Sequence, residues 1–241
     1  MKFRNFVVLL LCIWSFSAIA QQKIIDRSNN VWLTNINRYE LTDNWFLSSE
    51  LHVRRTDGLE HWQQFLFRPA INYKIGDAIE LSAGYTYIKS YPYGKQPLAL
   101  VTPENNLWQQ VLVKQTINKW NLSHRYRLEE RFAGKTVFVN NEPTIDGTNY
   151  LQRFRYRLTI ERNLGEQWFI SLFDEVWVNL ENNFMPEGLN QNWIYGGFGY
   201  KLNTKSNIQL GYMQQLIKKG DGVHFESNPT LQATYIYNFG N

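Results

Sequence analysis

The chain has 241 residues, of which 44% are hydrophobic, 16% aromatic and 19% charged. That aromatic load excludes a disordered chain, and no run after the first twenty residues is apolar enough for a membrane-crossing helix. The single cysteine, Cys12, excludes a disulfide scaffold. A β-rich soluble domain or a transmembrane β-barrel remains.

In chain order, the first element is an export signal. Lys2 and Arg4 form a basic n-region, residues 6–16 are an apolar run, and Ala18-Ile19-Ala20 is a small-x-small cleavage pattern. Cleavage between Ala20 and Gln21 removes Cys12 and lowers the formal net charge from +4 to +2, leaving 21–241 as one domain. So small a charge gives no reason to expect nucleic acid as a partner.

Extended segments follow from end to end, at 31–41, 45–55, 62–74, 79–91, 107–117, 120–132, 150–161, 168–180, 193–202, 208–217 and 229–239. A soluble strand runs about 5 to 6 residues, whereas a tilted membrane-crossing strand needs about 9 to 11. These segments are of the second kind. Short turns rich in Asn, Asp and Gly (42–44, 76–77, 118–119, 163–165 and 203–206) alternate with longer connections at 56–61, 92–106, 133–149, 181–192 and 218–228. Outer-membrane barrels place short turns in the periplasm and long loops outside. The fold class expected is therefore an all-β, antiparallel, up-and-down transmembrane barrel of about twelve strands, with ten as the main alternative. An even count requires one more upward strand within 23–30.

Alternation within the strands assigns faces. Trp120, Leu122, His124, Tyr126 and Leu128 oppose Ser123, Arg125, Arg127, Glu129 and Arg131; in the next strand Phe154, Tyr156, Leu158 and Ile160 oppose Arg153, Arg155, Arg157 and Glu161. Trp45, Trp120 and Trp168 each follow a short turn in outward phase, where an aromatic girdle at the membrane interface belongs. A weak repeat, His61-Trp62-Gln63-Gln64 and Leu107-Trp108-Gln109-Gln110, opens two strands after long loops, with both Trp in inward phase unless a β-bulge near the strand top flips it.

By phase, nine basic positions (Arg54, Arg68, Lys114, Arg125, Arg127, Arg131, Arg153, Arg155 and Arg157) share the lumen with Glu50, Glu80, Glu129, Glu161 and Glu175. An antiparallel register that pairs Glu129 with Arg153 also pairs Arg127 with Arg155 and Arg125 with Arg157. Extended to the next strand, the same logic puts Glu175 beside Arg153 and leaves Arg125, Arg127, Arg155 and Arg157 with no adjacent acid. Either a salt-bridge network fills the lumen or its wall leans positive. The second option favours small anionic solutes, because guanidinium groups match carboxylate and phosphate geometry.

Trp32, Arg38-Tyr39-Glu40-Leu41, Phe67-Arg68-Pro69, Gly84-Tyr85-Thr86-Tyr87 and, most specifically, His124-Arg125-Tyr126-Arg127-Leu128-Glu129-Glu130-Arg131-Phe132 span nearly the whole mature chain. With them the sequence resembles a widespread family of bacterial outer-membrane barrels known only as a domain of unknown function. The resemblance implies a barrel, the outer membrane, and contact with its lipid and its barrel-assembly machinery; it implies no activity. Tyr235, Tyr237 and Phe239 fit such an assembly signal, although Gly240 and Asn241 follow.

Enzyme chemistry is not expected. Ser123 and His124 are adjacent and point to opposite faces, and no nucleophile elbow or Walker loop is present. Asp57, Glu60 and His61, and Asp221, His224 and Glu226, match no metal spacing, so neither metal nor cofactor is expected. The functional expectation is a small, anion-leaning channel. Its alternatives are a structural or surface-binding barrel with a closed lumen and, more weakly, a lipid-modifying enzyme.

Overall fold

A computed structural model of the protein describes residues 23–240 except 96, 182 and 183, so the export signal expected over 1–20 lies outside the described residues. The strands are β1 (Ile24–Asp26), β2 (Asn30–Glu40), β3 (Trp45–Thr56), β4 (His61–Ile75), β5 (Ile79–Ser90), β6 (Thr102–Ile117), β7 (Trp120–Val139), β8 (Glu142–Asn163), β9 (Trp168–Leu180), β10 (Pro186–Lys201), β11 (Ser206–Lys218) and β12 (His224–Phe239). They form one sheet in sequence order, and the pairing of β12 with β2 closes it into a barrel.

The closed ring has eleven strands, and β1 lies outside it. An odd number of up-and-down strands must close on two that run the same way, and β12 and β2 do pair in parallel. The extra strand expected within 23–30 exists as β1, but it does not run opposite to β2. Ile24 pairs with His224, and Asn30 pairs with Thr230. The offset is constant, so β1 continues the register of β2 along β12. Across the gap between them the Ser28 N–H donates to Asn228 Oδ1 at 2.9 Å. Even counts are the rule for single-chain bacterial barrels, and this ring departs from it.

The turns follow local chemistry. Gly76 and Asn118 supply the positive φ values of two tight turns, at 60° and 56°. The Trp45 N–H donates to Thr42 Oγ1 at 3.0 Å. At the other end, the loop expected over 133–149 is largely strand. Asn140 and Asn141, with φ of 52° and 66°, make a two-residue turn whose twist suits a hairpin, so β7 and β8 extend well past their neighbours.

Polarity is inside out. Outward side chains such as Phe67, Ile71, Leu107, Ile194, Phe198 and Leu210 are exposed, while the buried side chains are polar more often than apolar. The apolar centre of the lumen is a cluster of Trp32, Trp177, Trp193, Tyr195 and Met213. Wall glycines make room for such rings. A Cβ on Gly84 would lie 2.2 Å from Trp108 Cζ2 and 2.8 Å from the Pro69 carbonyl oxygen, and one on Gly211 2.4 Å from the Tyr195 ring. Glycine is the residue that lets another group approach a strand so closely.

The strands cross the barrel obliquely. One row of directly paired residues runs Asn228, Gln215, Trp193, Glu175, Arg157, Arg125, Leu112, Glu80, Lys74. It starts near the long-loop end of β12 and finishes near the short-turn end of β4. That stagger brings charges from four consecutive strands, β6 to β9, toward one side of the lumen.

Candidate functional site: a guanidinium and aromatic lumen

In β7 and β8, Glu129 pairs with Arg153, Arg127 with Arg155, and Arg125 with Arg157, the register read from the sequence. The next ladder differs from expectation. Arg153 pairs with Asn179, and Glu175 faces Arg157. The turn after β8 closes with the Leu164 N–H donating to the Trp168 carbonyl at 2.8 Å. That turn sets Asn163 opposite Phe169 and slides Glu175 four residues along β8 from Arg153.

The slide changes the electrostatics. Glu175 accepts from Arg125 Nη2 at 2.6 Å, Arg155 Nε at 2.8 Å and Arg157 Nη2 at 2.5 Å. Glu129 accepts from Arg153 Nε at 2.9 Å and Arg155 Nη1 at 2.7 Å. Arg125, Arg155 and Arg157, expected to lack an acid, therefore share Glu175. Arg127 fits the expectation better: its nearest carboxylate is Glu129 at 3.9 Å, and Gln110 takes its bonds at 2.7 and 3.0 Å. Arg131 is held bidentately by Glu104 at 2.7 and 2.8 Å. The sequence places Glu104 in the connection at 92–106, yet it lies inside β6. Glu50 accepts from Arg68 Nη1 at 2.5 Å and lies 3.0 Å from His52 Nε2.

Five arginines (125, 127, 153, 155 and 157) thus surround two carboxylates that are 2% and 0% exposed, a local excess of three positive charges. Aromatic faces supply the rest of their environment. Arg127 lies 4.1 Å from the Trp108 ring centroid, Arg155 3.7 Å from Trp177 and Arg157 3.9 Å from Phe173. A desolvated guanidinium over an aromatic ring gains about 2 kcal/mol or more. The rings act as neutral partners where acids run out. Sequence reasoning placed Trp108 inward but missed Trp32, Trp177 and Trp193, which are buried in the lumen as well.

Trp45 and Trp168 are outward and exposed at the short-turn end, against Tyr73 at 4.7 Å and Tyr200 at 4.8 Å. Trp120 is half-buried, with Arg162 5.1 Å above its ring. Trp108 points inward, as its phase predicts, but Trp62 does not. A bulge pairs Arg54 with Gln64 and Arg55 with Trp62, so the extra residue Gln63 turns inward and Trp62 faces out. Ser123 pairs with Thr159 on the lumen side. The His124 ring, on the outward face, lies 2.9 Å from Tyr156 Oη and 3.0 Å from Gln115 Nε2. Among the described residues no three His, Asp or Glu groups converge as metal ligands.

The long-loop end is partly covered by residues 91–95. Tyr93 Oη donates to Glu226 Oε2 at 3.0 Å, and Lys95 Nζ lies 3.6 Å from Asp26. Burial and the Glu226 charge push the Tyr93 phenol up, which keeps it protonated and a donor.

The chain is 22% identical over 202 residues to an uncharacterised protein of Methylorubrum extorquens, across 78% of this chain and 79% of that one. Among solved structures it is similar to the NanC porin, with TM-score 0.47, 9% identity, and 82% and 90% of the two chains covered. It is also similar to the β domain of the Bordetella autotransporter BrkA, with TM-score 0.43, 12% identity, and 78% and 82% covered. A family model matches residues 29–226, and the chain belongs to that family, described as protein of unknown function (DUF2490).

Proposed function

We propose that this protein is an outer-membrane barrel whose lumen is closed by its own side chains, so that it acts through its outer face rather than as an open diffusion channel. The carrying observation is burial at mid-lumen: Glu175, Glu129, Arg127 and Arg155 are 0%, 2%, 2% and 3% exposed. An aqueous channel wets its wall; here these charged side chains are shielded by one another. Membrane residence is supported by the inside-out polarity, by strands of 11 to 22 residues in the ring and by the export signal expected from the sequence of residues 1–20. A wall-mounted hydrolase is disfavoured because Ser123 and His124 face opposite sides.

Purified protein in planar bilayers is expected to show no steady conductance, while fractionation and heat-modifiable migration report a folded membrane barrel. Steady conductance in the wild type overturns the closed reading. The excess of three positive charges favours a second reading, a narrow anion-leaning channel. In that case conductance favours anions, and changing Arg125, Arg127, Arg155 and Arg157 to Gln shifts the reversal potential toward cations.

A further inference from the structure

The lumen holds a cavity of about 280 Å3 toward the long-loop end, between Trp32, Trp177 and Trp193 on one side and Arg54, Arg125 and Arg155 on another. At ~30 Å3 per water it has room for about nine waters, or for one organic acid of about ten non-hydrogen atoms.

Arg54 stands apart from the other arginines of this wall. Arg68, Arg125, Arg131, Arg153, Arg155 and Arg157 each meet a carboxylate. Among the described residues Arg54 meets none. It is 8% exposed, its Nη1 donates to Gln64 Oε1 at 2.6 Å, and its buried Nε has no hydrogen-bond partner. Its guanidinium carbon lies 3.7 Å from the Trp32 ring centroid and 5.8 Å from that of Trp193. Arg54 lines the cavity, and a planar oxyanion is the partner that a guanidinium binds bidentately. A buried cation with a single neutral acceptor is costly unless an anion completes it.

We propose that this cavity binds a small organic acid, a carboxylate on a flat apolar body, with Arg54 holding the carboxylate and the body packed against one side of the Trp32 and Trp193 pair, whose rings meet edge to face at 5.3 Å. Tyr93 covers its outer side through its bond to Glu226. The Glu129 and Glu175 network is its floor, so the proposal rests on the closed-lumen reading. Trp193 is fixed by its Nε1 donating to Gln191 Oε1 at 2.9 Å and Trp32 by its Nε1 donating to Gln63 Oε1 at 2.8 Å. Both rings are therefore held in place before the acid arrives.

The test is a titration of the purified protein in detergent micelles with benzoate, followed by tryptophan fluorescence, with benzamide and inorganic phosphate as matched probes. Benzoate is expected to give a saturable change and to bind on the order of tenfold tighter than benzamide, with a similar loss in Arg54→Gln. The proposal falls if benzoate gives no saturable response, if benzamide or phosphate binds as tightly, or if Arg54→Gln leaves benzoate affinity unchanged. Should Arg54→Gln fail to fold, the contrast among the three probes on the wild type decides alone. Micelle titration does not depend on conductance. A conducting wild-type barrel that still prefers benzoate overturns the closed lumen and leaves the site standing.

Discussion

Changing Glu175 to Gln is expected to be among the most damaging single substitutions in the barrel. The side chain is 0% exposed and accepts from three guanidinium groups, at 2.6 Å from Arg125, 2.8 Å from Arg155 and 2.5 Å from Arg157. Gln keeps the shape, but it replaces one acceptor oxygen with an NH2 that faces donors, and it leaves three cations without their shared charge. Arg155 keeps Glu129, while Arg125 and Arg157 keep no carboxylate within 4.0 Å among the described residues. Removing one partner of a buried ion pair costs about 3 to 5 kcal/mol. With a urea dependence of ~2 kcal/mol per molar, the unfolding midpoint drops by about 2 M. The assay is urea unfolding in micelles by tryptophan fluorescence, with Glu60→Gln as a control whose exposed side chain makes no ion pair among the described residues. A shift for Glu175→Gln no larger than that of the control refutes the account, because the network would then add nothing to stability.

Gly84→Ala forces a Cβ to 2.8 Å from the Pro69 carbonyl and into the Trp108 ring; overpacking of this kind costs about 1 to 3 kcal/mol. Gly165→Ala, which meets nothing within 4 Å, stays near wild type in the same thermal melt, and equal melting of the two variants refutes the packing argument. Lipid-borne bromine quenches Trp45 and Trp168, 43% and 54% exposed, and spares Trp177, 6% exposed. Accordingly Trp168→Phe lowers total quenching and Trp177→Phe does not; the opposite order counts against membrane contact at the girdle. In the loop after β11 the backbone N–H and ring of His224, then the Val223 N–H, hold the Asp221 carboxyl down at about 2. A depressed carboxyl contributes order that is complete above the ordinary Asp range and is lost as pH falls through that range toward the folded value. The Val223 and His224 amide resonances therefore titrate together near pH 2, and a midpoint near 4 removes the capping role.

Strand positions were legible because turn residues and alternation act locally. Trp45, Trp120 and Trp168 open β3, β7 and β9 as their turns require, and the odd-numbered arginines of β7 and β8 share the inward face. What could not be read depends on geometry beyond one hairpin. Nothing in the turn of 164–167 states how many residues its closure consumes, so Glu175 was aligned with Arg153 instead of Arg157. The overhang of β7 and β8 was hidden by Asn140, Asn141 and Glu142, which read as loop although they turn a hairpin. Glu104 was hidden in the same way between Pro103 and Asn105. The bulge that moves Trp62 outward leaves no local mark at all. Charge counting also overlooked that a tryptophan face can stand beside a guanidinium where a carboxylate would otherwise be needed.

The parallel seam between β2 and β12 has a kinetic consequence. Every other ladder of the ring joins neighbours in sequence, whereas the seam joins residues two hundred positions apart, Asn30 with Thr230 through Tyr39 with Phe239. Loop-closure entropy grows with the logarithm of the span, so bringing these ends together costs about 2 kcal/mol more than a twenty-residue hairpin. Parallel ladders are also slightly weaker per residue. The hairpins can zip one after another as the chain arrives, but the circle stays a ribbon until β12 meets β2. Closure is then the slow, final event of folding, and the same seam is the first place at which the finished cylinder parts.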